Sequence, residues 1–141
     1  MRIGIVGGGI SGVLSAIMIK KKNKECDITI FEHKNKLFKK LYVSGNGKCN
    51  LGNIDFSKGN YENYSFAAPI LESFNSKDIV EFLGELGVKC TIVEDLLYPY
   101  SLSSLNVANA LIKFIKDNNI KVNLEEKVID AAFEDLLENG I

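Results

Sequence analysis

The chain has 141 residues, 46% of them apolar, and 17 basic against 18 acidic side chains for a formal charge of −1. That length predicts one core over residues 1–141 and argues against a two-domain enzyme, since compact domains cluster at about 100–150 residues. Balanced charge without a basic block leaves no electrostatic case for nucleic acid. Three cysteines, Cys26, Cys49 and Cys90, stand far apart in an odd number. Neither a disulfide framework nor a metal-ligand spacing follows, so a reduced, cytoplasmic setting without a bound metal is expected.

The first strand is read at Arg2 to Val6, where Ile3, Ile5 and Val6 precede three glycines. Ile10, Val13, Leu14, Ile17 and Met18 then recur at the spacing of one helix face. Lys20, Lys21 and Lys22 close that helix, where cations suit the negative end of its dipole. The stretch Ile3 to Ile19 carries no charge and superficially looks like a leader peptide. A membrane helix needs about 20 apolar residues, and Gly4, Gly7, Gly8, Gly9 and Gly12 interrupt this one. No small-x-small cleavage site follows either. Strand, turn and helix are therefore predicted, with no membrane partner.

Asp27 to Phe31 is a second β-branched run, so strand, helix and strand form a parallel, right-handed βαβ unit. From His33 to about Tyr61 no periodicity holds, and glycines and asparagines accumulate. A connection this long without structure is uncommon unless it binds something. A helix is expected through Ile79, Phe82, Leu83 and Leu86, capped by Ser76 and stopped at Gly87. Strands are expected at Val88–Val93 and Leu96–Tyr100, the second limited by Pro99. A further helix runs through Leu105, Ala108, Leu111, Ile112 and Ile115, started by Ser103 or Ser104 and ended by Asn118 and Asn119. Ile120–Leu124 and Lys127–Phe133 read as closing strands.

The chemistry concentrates in two blocks. Gly7-Gly8-Gly9-Ile10-Ser11-Gly12 is G-x-G-x-x-G, with the small Ala16 one turn on. The first glycine permits the tight turn, the second clears space for a pyrophosphate, and the third lets helix and strand approach. The helix N-terminus then offers N–H groups and a positive dipole to the phosphates. Glu32 ends the second strand, where a carboxylate accepts hydrogen bonds from ribose hydroxyls and repels a 2′-phosphate. A bound FAD or NAD is expected rather than NADP. The second block, Ser44-Gly45-Asn46-Gly47-Lys48-Cys49-Asn50, alternates glycines with polar side chains. Such a loop can present backbone N–H groups to an anion or a flat ring; an exposed asparagine-rich loop is the plainer alternative.

Together these blocks resemble a family of bacterial flavoproteins described as NAD(P)/FAD-dependent oxidoreductases, some called aminoacetone oxidases and one branch linked to bile-acid metabolism. Its members open on GGGxSGxxxA, carry an acidic residue after strand two, and continue with G-R-K-L-x-x-S-G-x-G-R-C-N-x-T-N. Here that segment runs from Phe38-Lys39-Lys40-Leu41 through Ser44 and Asn50 to Asn53, and DLLYPYS at 95–101 is similar to a later G-R-x-Y-P-x-S. The resemblance implies an α/β, Rossmann-like FAD-binding domain with a parallel sheet, forming the N-terminal part of a larger discontinuous domain. It implies that Gly7, Gly8, Gly9, Ile10, Ser11 and Gly12 hold the pyrophosphate. Glu32 and His33 would then lie at the adenosine ribose with Lys40 nearby. Ser44, Gly45, Asn46, Gly47, Lys48, Cys49 and Asn50 would run along the flavin. Phe38, Lys48 and Gly52 depart from the family's glycine, arginine and threonine.

The parent activity implied is hydride transfer from NAD(P)H to flavin and on to an unidentified small molecule. No catalytic side chain can be assigned. Family members are much longer chains, so a C-terminal part that helps enclose the flavin is the expected partner, and this piece alone is expected to be inactive. Two rivals remain from the residues themselves: an NAD-binding dehydrogenase domain, and a non-catalytic fragment. Cys49 has no second cysteine nearby in sequence and is read as packing, and Tyr98 and Tyr100 as core or loop anchors.

Overall fold

Alternating β-branched residues build strand β1 (Arg2–Val6) and strand β2 (Asp27–Glu32), joined by helix α1 (Ile10–Lys22). The computed structural model describes residues 1–54 and 63–130. β1 and β2 pair in parallel, with Ile3 opposite Ile28 and Ile5 opposite Ile30. A third strand, which is β6 in chain order (Lys121–Leu124), joins the free side of β2, again in parallel, with Ile30 opposite Val122 and Glu32 opposite Leu124. The sheet order is β1-β2-β6, so among the described residues β2 is central and β1 lies at an edge. Ile28 and Ile30 are buried, as the central strand of a parallel sheet requires. On α1 the buried face is Val13, Ala16 and Ile17, packed on β1 and β2. The uncharged stretch thus folds as the strand, turn and helix expected of it. Lys20 is not simply solvated: its ammonium donates to the Cys26 carbonyl oxygen at 2.7 Å and ties the helix end to the start of β2.

Residues Met1–Leu37 and those from Ile120 onward form one compact unit, and Phe38–Asn119 a second. In sequence, the second unit is inserted between β2 and β6. One closing strand differs from expectation, because residues 127–130 are not a strand, and the rest of Lys127–Phe133 lies outside the described residues. β2 ends at Glu32, opposite Leu124, so the ladder has no partner to extend along. Glu125 takes a left-handed φ of 58° there and turns the chain.

The inserted unit opens with a 3-10 segment at Leu41–Gly47, in which Ser44, Gly45 and Asn46 break the helical angles. Strand β3 (Gly52–Asn53), helix α2 (Tyr64–Ser73), helix α3 (Ser76–Glu85), strand β4 (Cys90–Val93), strand β5 (Leu96–Pro99) and helix α4 (Ser104–Asp117) follow. β5 pairs antiparallel with both β3 and β4, Ile92 facing Leu97 and Cys90 facing Pro99. Leu97 and Pro99 are buried, whereas Tyr100 is 73% exposed and is no core anchor. α4 buries Val107, Ala108, Leu111 and Ile115 and packs on the 3-10 segment and β5.

Two helix details depart from the sequence reading. α2 was not anticipated, since Pro69 lies inside it and none of its residues is buried to supply a periodic face. α3 is capped by Asn75 rather than Ser76: the Asn75 side chain accepts from Lys77 N–H at 2.9 Å, and Asp78 accepts from Asn75 N–H at 2.6 Å. That reciprocal pair satisfies two backbone donors at once, which a Ser76 cap would not. Gly87 ends the helix as expected, with φ +79°.

Phe38 stands where the resembling family has glycine. It keeps the backbone conformation that glycine favours, φ 63°, and buries its ring almost completely. A left-handed φ costs an L-residue roughly 1–2 kcal/mol, and burial of the ring outweighs it. Phe38→Ala should therefore destabilise the chain by about 3–5 kcal/mol. Phe38→Gly should lose about 1 kcal/mol less, because it drops the Cβ from a left-handed residue. Urea unfolding of the two variants checks both the loss and its order.

Candidate functional site

The glycine turn is shaped by what a side chain would meet at each position. Gly7 has φ +104°, a conformation that needs glycine, and its N–H donates to the Phe31 carbonyl oxygen at 2.8 Å. At Gly12 a Cβ would lie 2.0 Å from the Gly7 carbonyl oxygen and 3.3 Å from Ile5, so glycine sets the close approach of α1 to β1. At Gly8 a Cβ would meet Leu37 at 2.3 Å and the Glu32 stem at 3.0 Å. Gly9 is the exception, because a Cβ there meets nothing within 4 Å. Gly9 is also the N-cap of α1, in extended conformation, with no side-chain cap on the helix and no acidic residue in its first turn. Open space thus faces the positive end of a helix at the second glycine of the fingerprint. Ile10 and Ser11 form that first turn, and Ile10 is 37% exposed.

Glu32 is buried at the end of β2. Its Oε2 accepts from Gly8 N–H at 2.7 Å and its Oε1 from Lys34 N–H at 2.8 Å. His33 Nδ1 lies 3.0 Å from the same Oε1, with the ring half exposed. The Lys34 N–H holds the Glu32 carboxyl below its ordinary value; burial opposes this, and the Gly8 N–H and the His33 and Lys34 charges add to it. The carboxylate is therefore ionised beside the turn, where it favours hydroxyl donors and disfavours a second anion.

The second block lies in the inserted unit. Gly45 and Asn46 are both left-handed, and a Cβ on Gly45 would sit 2.7 Å from the Asn50 backbone nitrogen. Lys48 N–H donates to the Gly45 carbonyl oxygen and Cys49 N–H to the Ser44 carbonyl oxygen, each at 3.0 Å. Those two N–H groups stabilise the loop itself rather than facing outward. Gly52 N–H is likewise taken by Asn50 Oδ1 at 3.0 Å, and Ser44 Oγ donates to the Leu41 carbonyl oxygen at 2.8 Å. Cys49 is fully buried, and burial pushes its thiol up, with a hydrogen bond to Ser44 opposing. A buried, protonated thiol is a packing residue, not a nucleophile. Lys40 is exposed and begins the 3-10 segment, and Gly47 has φ +83°. Ser104 Oγ donates to the Tyr42 carbonyl oxygen at 3.1 Å, a tether from α4 to this segment that its spacing in sequence did not disclose. Among the described residues no cluster of His, Cys, Asp and Glu is suited to a metal ion, and no helix is long and apolar enough to cross a membrane.

A parallel strand-turn-helix with a G-x-G-x-x-G turn and a terminal carboxylate on the second strand defines a Rossmann-type nucleotide-binding domain. The chain belongs to the family described as HI0933-like protein Rossmann domain, whose pattern matches residues 1–137. Over 123 residues it is 32% identical to a 3-dehydro-bile acid delta(4,6)-reductase of Clostridium scindens, covering 86% of this chain and 30% of the reductase. It is 28% identical over 86 residues to a ribosomal RNA dihydrouridine synthase of Haemophilus influenzae, covering 60% of this chain and 21% of the synthase. In fold it is similar to Thermovibrio ammonificans THI4, with a TM-score of 0.56 at 15% identity, over 87% of this chain and 38% of that one. The family and fold expected from the two sequence blocks are those found. The chain spans less than a third of the length of these two curated relatives.

Proposed function

We propose that this chain is the FAD-binding part of a flavin-dependent oxidoreductase. The carrying observation is the open space at Gly9, placed at the uncapped N-terminus of α1 with an ionised Glu32 beside the same turn. Open space at a helix N-terminus leaves room for a pyrophosphate there, with ribose hydroxyls toward Glu32. The names of the two relatives support the reading in a particular way. One name gives a bile acid as substrate and the other ribosomal RNA, yet both proteins are similar to this chain. A part similar to proteins named for such unlike substrates fits a shared cofactor-binding role better than substrate choice.

When bound, FAD would supply the redox chemistry, taking hydride from a nicotinamide donor and passing it to the substrate. This chain's residues bind and orient. The first turn of α1 holds the phosphates, Glu32 fixes the ribose and excludes a 2′-phosphate, and His33 borders the adenosine. The Ser44–Asn50 loop is assigned to the flavin, and Lys40 to the neighbourhood of the ribose, by the family resemblance alone. β1 is an edge of the parallel sheet among the described residues, with Val6 69% exposed, which fits a site that the remainder of a longer chain completes.

A half-open site loses burial of the flavin face. An uncovered area of about 100 Å² costs about 2.5 kcal/mol, nearly two decades in affinity. Calorimetry should accordingly find ADP bound by the 141-residue chain within about tenfold of FAD, with no NAD(P)H oxidation. An FAD affinity higher by several decades would show a complete flavin site, and no binding of either ligand would overturn the proposal.

A further inference from the structure

Residues 31–34 collect hydrogen bonds from two separate segments of their unit, the glycine turn and the chain just beyond β6. Gly7 N–H donates to the Phe31 carbonyl oxygen at 2.8 Å, and Gly8 N–H to the Glu32 carboxylate at 2.7 Å. From beyond β6, Glu126 N–H donates to the Glu32 carbonyl oxygen and Glu125 N–H to that of Lys34, each at 3.0 Å. Both Glu32 carboxylate oxygens are engaged by backbone N–H groups. Leu37, with the Glu32 stem behind it, fills the space where a Gly8 side chain would stand.

We infer that Glu32 is a positioning residue: through the Gly8 N–H it sets the glycine turn for the pyrophosphate before any nucleotide arrives, apart from its contact with ribose. The inference rests on the nucleotide-binding reading above and adds a role that no ribose hydroxyl is needed to reveal. The physical basis is that Gly7 and Gly8 lack side chains and lose more conformational freedom on ordering than other residues. An ionised acceptor on Gly8 N–H removes that freedom in advance, through the stronger class of hydrogen bond. The remaining lone pairs of the carboxylate stay available to ribose, since two ionised oxygens accept about four hydrogen bonds. Preorganisation of this kind raises affinity by removing an ordering cost from the binding step.

Two measurements on the 141-residue chain test it. Hydrogen exchange of the ligand-free wild type should show the Gly8 amide protected together with the β2 amides, and Glu32→Gln should lower that protection at least about tenfold. Calorimetry of wild type and Glu32→Gln with ADP and with 2′,3′-dideoxy-ADP, which has no ribose hydroxyls, then separates the roles. Positioning predicts that Glu32→Gln weakens 2′,3′-dideoxy-ADP at least about tenfold. A ribose-only role leaves the affinity of 2′,3′-dideoxy-ADP unchanged by the substitution and overturns the inference. So does an unprotected Gly8 amide in the wild type, a result that needs no variant to fold. Failure of the wild type to bind either nucleotide overturns the nucleotide reading instead, and the exchange result stands apart from it.

Discussion

Gly9→Val should leave the fold standing and remove nucleotide binding. A Cβ at Gly9 meets no protein atom within 4 Å, and the residue sits in extended backbone that valine adopts readily. The cost to the fold is the poorer helix cap, about 1 kcal/mol, or roughly 2–4 °C in Tm for a chain of this size. The cost to binding is of another order. Valine methyl groups would occupy the space in front of the first turn of α1 and hold the pyrophosphate away from its N–H groups. Hydrogen bonds to charged groups contribute about 1.5–3 kcal/mol each, so losing one or two removes about one to four decades of affinity. ADP titration beside a thermal melt gives both numbers. A variant that melts normally and binds ADP as tightly as wild type would detach the fingerprint from function altogether.

The contrast between Gly9 and its neighbours was only partly legible in the sequence. Spacing identified β1, α1 and β2 because local pattern determines them: Ile28 and Ile30 alternate, Val13, Ala16 and Ile17 share a helix face, and Gly7 punctuates. The close approach expected at Gly12 is present, and Gly9 faces open space. Gly8 was not distinguished, since its constraint comes from Glu32 and Leu37, more than 20 residues away. The parallel partner of β2 was legible as a strand, Ile120–Leu124, but not as the third member of this sheet, because the whole inserted unit separates the two. Local readings failed where the cause was not local. α2 has no buried face to give a period, Asn75 outcompeted Ser76 through Asp78, and Phe38 keeps a glycine conformation in exchange for burial. The Ser44–Asn50 block reads from sequence either as a ligand-facing loop or as an exposed asparagine-rich one. Its Lys48 and Cys49 N–H groups close the loop on itself, which no composition reveals.

Gly12→Ala should do the reverse of Gly9→Val and damage the fold first. In an exposed helix the change would stabilise by about 1 kcal/mol, because glycine is a poor helix former. Here the new methyl would lie 2.0 Å from the Gly7 carbonyl oxygen and 3.3 Å from Ile5. The first of these is backbone rather than a yielding side-chain tip, so either α1 lifts from β1 or the turn is displaced. Overpacking of this kind costs about 1–3 kcal/mol or more, and it outweighs the helix propensity. Moving α1 also loosens contacts of the fully buried Val13, Ala16 and Ile17. The expected result is a Tm lower by roughly 2–8 °C, with ADP affinity falling because the turn has moved rather than because the phosphate space is filled. Hydrogen exchange tells the two apart: Gly12→Ala should expose the Gly7 and Gly8 amides in the ligand-free protein, whereas Gly9→Val should leave them protected. If Gly12→Ala melts at or above the wild-type temperature, the close approach of helix to strand does not constrain this turn.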